Sequence, residues 1–219
     1  LRWTSSPNAP FGGYGPSFVN PRTGEIIGAD IMLEWVYATN RLTIEDIFNS
    51  SHGSEACSIG SLMQEGNMMG YLTSTDKKDP EILKQSIIRL TLHEVGHTLG
   101  LNHNFKASFL HNSKDVHNKE LTQKIGLTSS VMEYPAVNLA PKGVKQGDYY
   151  DTRTGPYDLW AIEFGYKTSL TPEEREVLLS KSNLPEHMFA NDSEEMRSPG
   201  KGIDPRAMIN DISSEPIIY

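Results

Sequence analysis

The sequence predicts an α+β fold, and three features carry that prediction. EIIGADIMLEWVYA, from Glu25 to Ala38, is rich in Ile, Val and aromatic residues, the composition of a strand or a hairpin arm. The segment after Asp79 has the start signals, the apolar period and the glycine stop of a long α-helix. Two shorter stretches, opening at Pro156 and Pro172, begin with helix-start signals of their own. With 219 residues the chain has room for one sizeable domain, or for a domain with an appendage.

Taken in order, residues 1–24 are rich in Pro, Gly and Ser and read as a loop or extended N-terminal arm. Glu25–Ala38 follows as the strand segment, and residues 49–80 mix Gly and Ser with short apolar pieces that favour no element. In the long helix Asp79 is the N-cap, Pro80 the first helical residue, and Glu81 complements the positive end of the dipole. Ile88, Leu92, Val95 and Leu99 recur at helical spacing and predict one buried stripe. Gly100 ends the helix.

Residues 101–130 read as a polar connection with weak helical character. A second short helix is predicted from Pro156 to Phe164, with Gly165 as its stop, and Trp160, Ile162 and Phe164 as core. A third runs from about Pro172 to Lys181, where Thr171 and Glu174 match a capping box. Beyond Asn183 the chain is polar and interrupted by four prolines. The organisation expected is a catalytic-sized domain over residues 1–182 and a polar C-terminal extension over 183–219. Both ends read as cuts through a longer protein.

Composition removes several function classes. A formal charge of −8 argues against electrostatic binding of nucleic acid. No apolar run approaches the ~20 residues of a membrane span. Cys57 is the single cysteine, so no intrachain disulfide can form, and its surroundings mark it as a structural thiol.

The chemistry concentrates in TLHEVGHTLGLNH, Thr91 to His103, which holds three of the seven histidines. Residues four apart on a helix stand on one face about 6 Å apart along the axis, so His93 and His97 can reach one ion. Glu94 is turned about 100° from His93 and can flank that ion as a base without ligating it. Gly100 permits the left-handed backbone that turns the chain, and His103 completes a His₃ set with one coordination position open. An isolated His pair at this spacing is usually a surface coincidence. The complete H-E-x-x-H-x-x-G-x-x-H pattern, on an independently predicted helix with its glycine at the stop, points to zinc. His52, His111, His117 and His187 lie in polar contexts and read as solvated. Asp148, Asp151 and Asp158, in GDYYDTRTGPYD, lack the ordered ligand ladder of a calcium loop and read as a solvated turn.

HEVGHTLGLNH, His93 to His103, resembles the zinc-binding signature of the metzincin metallopeptidases. The resemblance implies that Met132, in SVMEY, belongs to the methionine-containing turn beneath the metal, without ligating it. The S-x-M-x-Y form is similar to the astacin and serralysin branches, which implies a zinc-binding and oxyanion-stabilising role for Tyr134. Asn104 departs from the glutamate that follows the third histidine in astacins, and from the serine, aspartate or proline of other branches. PRTGEIIGADI, HNFKAS, VMEYPAVN and GPYDLWAIEFGY together resemble a family of large exported bacterial metzincin-type proteins, often predicted lipoproteins.

That resemblance implies a twisted mixed sheet, a zinc-bearing helix and a Met-turn, with Pro135, Val137 and Asn138 beside the specificity pocket. It implies an endopeptidase with one catalytic Zn²⁺ ion and a polypeptide substrate extended along an edge strand. It also implies export to the periplasm, cell surface or medium. Two readings stand beside it: a catalytically silent zinc-containing scaffold, and a zinc hydrolase of non-peptide amides. Glu94 speaks against the first, because a structural zinc needs no base beside an open position.

Overall fold

The computed structural model describes residues 1–5, 12–34, 80–194 and 204–215. His52, Cys57, Asp79 and the last residues of Glu25–Ala38 lie outside them. The chain divides into two units, Leu1–Gly100 and Leu101–Tyr219. Strands and helices are both present, as an α+β sequence demands.

Among its described residues the first unit contains five short strands: β1 (Arg2–Thr4), β2 (Gly13–Tyr14), β3 (Ser17–Val19), β4 (Ile26–Ala29) and β5 (Met32–Glu34). Three form a mixed sheet in the order β1-β5-β2, parallel between β1 and β5 and antiparallel between β5 and β2. β3 and β4 form a separate antiparallel pair with Phe18 opposite Gly28. Asn20 closes their turn: its side chain accepts the Arg22 N–H at 3.0 Å, and Gly24 takes the left-handed φ of 74°.

One expectation gives way in this unit and another is refined. Residues 1–24 are not a bare arm, because β1, β2 and β3 lie in them. Their Pro- and Gly-rich composition hides this, since β2 is held by backbone pairing to β5 rather than by an alternating side-chain pattern. Among its described residues, Glu25–Ala38 supplies the hairpin arm expected of it, β4, and a further strand, β5. It breaks at Asp30–Ile31, so that β4 pairs with β3 and β5 enters the other sheet.

Helix α1 (Pro80–Thr98) is the predicted long helix. Its most buried face, however, is not the apolar stripe. Ile88, Leu92 and Val95 are half-buried and Leu99 is exposed, whereas Ile82, Gln85, Ser86, Arg89, Leu90, His93 and Glu94 are buried. The buried face is offset by one residue, about 100° around the axis. Apolar periodicity locates the helix but not the side that the fold covers.

Among its described residues the second unit is mostly irregular chain carrying short helices: α2 (Lys119–Ile125), α3 (Pro156–Tyr166), α4 (Pro172–Ser180) and four single 3-10 turns. Asn118 caps α2 and Gly126, at φ 106°, stops it. α3 runs through Gly165 rather than stopping there. α4 has the expected capping box: Thr171 Oγ1 accepts the Glu174 N–H at 3.2 Å, and Glu174 accepts the Thr171 N–H at 2.8 Å. Trp160 and Ile162 are half-buried and Phe164 is exposed, so α3 is a surface helix and not the core expected of it. Trp160 joins α3 to α4 by donating its indole N–H to the Leu178 carbonyl at 2.8 Å. The core of this unit includes Phe105, Val116, Leu127, Met132, Tyr134, Tyr150 and Ile212. No helix among the described residues is long and apolar enough to cross a membrane.

Candidate metal centre

α1 carries His93, Glu94 and His97 on its last two turns. His93 is fully buried, and the His93 and His97 rings meet edge to face with centroids 4.7 Å apart. The helix then closes. The Gly100 N–H bonds the His97 carbonyl at 2.9 Å, and Gly100 adopts φ 87°, the left-handed backbone its position predicts. His103 follows, and the ligating nitrogens of His93, His97 and His103 all lie within 4.8 Å of one another. Three imidazoles converging on one point are a donor set that suits zinc, so the residues fit the ion the motif implies.

Glu94 is fully buried beside them. The reason lies in β2 and the residue after it. A Cβ placed on Gly13 would come within 2.5 Å of Glu94 Oε1, and one on Gly15 within 2.5 Å of the Glu94 carbonyl oxygen. Only glycine lets this backbone approach so closely.

His103 stands outside the helix and is held by its surroundings. Its ring stacks on Phe105 at a centroid distance of 5.4 Å. Its Nδ1 lies 3.0 Å from both carboxylate oxygens of Asp192, and its Nε2 lies 3.0 Å from the Tyr134 hydroxyl. Tyr134 is buried, and Met132 is buried completely within a turn over residues 131–133. The Met132 carbonyl accepts the Asn104 N–H at 3.0 Å, which ties this turn to the residue after His103. Asp192 has no signal in the sequence: it lies 89 positions from its partner in polar chain.

The acidic residues expected in a solvated turn are buried instead. Asp151 accepts the Leu127 and Thr128 N–H groups at 2.7 and 3.1 Å and the Thr128 hydroxyl at 2.7 Å. Asp158 accepts the Ser130 hydroxyl at 2.6 Å, the Val131 N–H at 2.8 Å and the Gly155 N–H at 2.9 Å. Asp148 is buried and pairs with Lys119 at 3.3 Å. These bonds explain why carboxylates sit inside: irregular chain has no ladder to satisfy its N–H groups, and side chains take that role. Burial and the neighbouring Asp158 charge together push the Tyr157 phenol up to about 12.

The remaining histidines depart from expectation likewise, since His111, His117 and His187 are buried. His111 Nε2 bonds the Gly126 carbonyl at 2.9 Å, and His187 Nδ1 the Lys181 carbonyl at 2.8 Å. Burial lowers the His117 pKa. Pro135, Val137 and Asn138 are buried. The Asn138 amide donates to the Val116 and Asp148 carbonyls. A shallow hollow of about 330 Å³ lies between α3 and α4, lined by Glu163, Lys167, Leu170 and Leu178, and holds none of the motif residues.

No curated protein and no solved structure gives a significant match to the chain. Residues 75–219, well over half of the 219, match the family model described as Met-zincin. That match spans α1, the three histidines and the turn at Met132 together. With the metal centre and the mixed sheet, it identifies an α+β protein of the metzincin clan, and the chain belongs to the Met-zincin family.

Proposed function

We propose that the protein is a zinc-dependent endopeptidase. The observation that carries this reading is the buried Glu94 carboxylate on the turn of α1 that bears His93 and His97, with His103 converging on the same point. Zinc bound to the three imidazoles supplies Lewis acidity that brings the pKa of a water towards ~7. Glu94 takes a proton from the attacking water and returns it to the departing amine. Burial keeps this carboxylate away from bulk solvent, which favours proton exchange with the substrate over exchange with solution. The Tyr134 hydroxyl, held near His103 Nε2, donates a hydrogen bond to the oxygen that becomes negative during attack. Met132 gives the imidazoles an apolar support. A polypeptide lies extended beside β2, an end strand of the described sheet whose Gly13 abuts Glu94. Export from the cytoplasm, which the resemblance implies, is part of the same proposal.

The test compares wild type with Glu94→Gln on a peptide library, with metal content measured on both. The expected result is equal zinc content and a fall in cleavage of about 10²–10⁴-fold in the variant. Equal cleavage by both proteins would remove Glu94 from the mechanism. Zinc-loaded wild type that cleaves no peptide would return the protein to the scaffold reading, and cleavage of small amides alone would make it a non-peptide hydrolase.

A further inference from the structure

His93 and His97 are aimed by the helix that carries them. His103 lies outside any helix or strand, where no repeating backbone sets its side chain, so its aim must come from elsewhere. The contacts around it show from where. Beside the ring stacking on Phe105, the Tyr134 hydroxyl stands at Nε2 and the Asp192 carboxylate at Nδ1. An ionised carboxylate has only acceptors to offer, so the shared proton belongs to Nδ1 and Nε2 is left with its lone pair. That is the tautomer in which Nε2 can ligate.

Asp192 reaches this position because the chain before it is fastened beside His103. The Asn104 amide donates to the Met188 carbonyl at 3.0 Å, and its oxygen accepts the Ala190 N–H at 3.2 Å. The Phe105 N–H bonds the Ala190 carbonyl at 2.8 Å. After Ala190 the chain turns. Asn191 donates its N–H to the Glu194 carboxylate at 3.0 Å, and its own side chain accepts the Ser193 N–H at 2.9 Å. Asn104, the position that matches no familiar branch of the clan, is the fully buried clamp of this arrangement.

We infer that Asp192 is a positioning residue for the metal centre, holding the proton of His103 on Nδ1 so that Nε2 faces the ion, with Asn104 fastening the segment that delivers it. The Asp192 side chain is 60% exposed, so its contact with His103 adds little to folding, and its effect falls on the imidazole. A carboxylate behind a ligating histidine fixes the ring and raises its basicity, and losing one costs about 10–100-fold in metal affinity.

The inference rests on His103 being a ligand, and the experiment separates the two claims. Zinc affinity is measured by competition with a chromophoric chelator for wild type, Asp192→Ala, Asp192→Asn and His103→Ala. The ring tautomer of His103 is read by nitrogen NMR in metal-free protein, and thermal unfolding of metal-free protein is followed in parallel. Asp192→Ala is expected to weaken zinc binding by about 10–100-fold and to lower the Nδ1–H population, with thermal unfolding unchanged. Asp192→Asn, which keeps an acceptor but no charge, is expected to lose less, and it serves alone if the alanine variant does not fold. Wild-type affinity in both Asp192 variants, with weakened binding in His103→Ala, would overturn the role of Asp192 and spare the ligand. Wild-type affinity in His103→Ala would overturn both.

Discussion

The residues of the metal centre before Gly100 and those after it are held by different physics. His93, Glu94 and His97 sit on α1, where one backbone rule repeated over 19 residues sets every side-chain direction. His103, Met132 and Tyr134 sit on chain without a repeating rule. Each is placed by particular contacts: the Asp192 and Tyr134 side chains around His103, the Asn104 backbone N–H on the Met132 carbonyl, and the Glu133 carboxylate on the Tyr134 N–H at 2.9 Å. A helix needs its turns and its stop. The irregular half rests on individual buried side chains, and removing a carboxylate that satisfies several backbone N–H groups should be felt at once.

Asp158→Ala is the strongest way to break that comparison. It removes the acceptor for the Ser130 hydroxyl and for the Val131 and Gly155 N–H groups, on a segment that leads directly into Met132. Each buried donor left unpaired costs about 1–3 kcal/mol, with some recovery by relaxation, so a total of about 3–5 kcal/mol is expected in urea unfolding. Asp158→Asn should lose less. By contrast Lys84→Ala, which removes an exposed pair with Glu81 on α1, should change stability by less than about 0.5 kcal/mol. Equal small losses in both would show that the irregular half does not depend on its buried carboxylate.

The same contrast decides what is legible in the sequence. α1, its glycine stop, the three histidines, Glu94 and the Thr171–Glu174 capping box are local patterns, fixed by spacings of three or four residues, and all can be read directly. What cannot be read depends on partners far along the chain. Asp192 meets His103 across 89 positions, and Asp211 meets Ser108 across 103. Asp151 and Asp158 look like solvent-facing turn residues because composition cannot show that they accept N–H groups more than twenty positions away. The strands within residues 1–24 escape notice for a related reason. β2 is glycine and tyrosine paired through its backbone, and backbone pairing leaves no mark on side-chain pattern. α1 is legible as a helix but not in its orientation, because its buried face sets Gln85, Arg89 and Glu94 among the aliphatic Ile82 and Leu90.

Asp211 sharpens the comparison through pH. Its carboxyl is buried, accepts the Ser108 hydroxyl at 2.5 Å, and is pushed by burial from an ordinary 3.8 up to about 6. The folded protein therefore holds this proton more tightly than the unfolded chain does. The stability linked to it is present below about pH 4, falls as pH rises to about 6, and stays lost above. Each tenfold gain in proton affinity on folding is worth ~1.4 kcal/mol, so the ionised group costs on the order of 2–3 kcal/mol at neutral pH. Asp211→Asn should therefore be more stable than wild type by about that amount at pH 7–8 in urea unfolding, with the advantage vanishing near pH 4. An advantage independent of pH would mean that packing, and not the charge, sets the difference.

The smallest expected effect tests the helical half, where the precision of Glu94 comes from β2 and not from α1 alone. A Cβ on Gly13 meets the far end of the Glu94 side chain at 2.5 Å and Leu90 Cδ1 at 2.9 Å, both of which can shift. Under the proposed mechanism Gly13→Ala should keep zinc binding and most of its stability while moving Glu94, and a displacement below about 1 Å lowers kcat by roughly tenfold. Gly15→Ala meets the Glu94 backbone oxygen at 2.5 Å, which cannot move without the helix, so its loss should appear in folding instead. Measured together, kcat and unfolding free energy should separate the two glycines. If Gly13→Ala cleaved peptide at the wild-type rate, the helix alone would be enough to aim the base, and regular backbone would carry its half of the centre without help from the sheet.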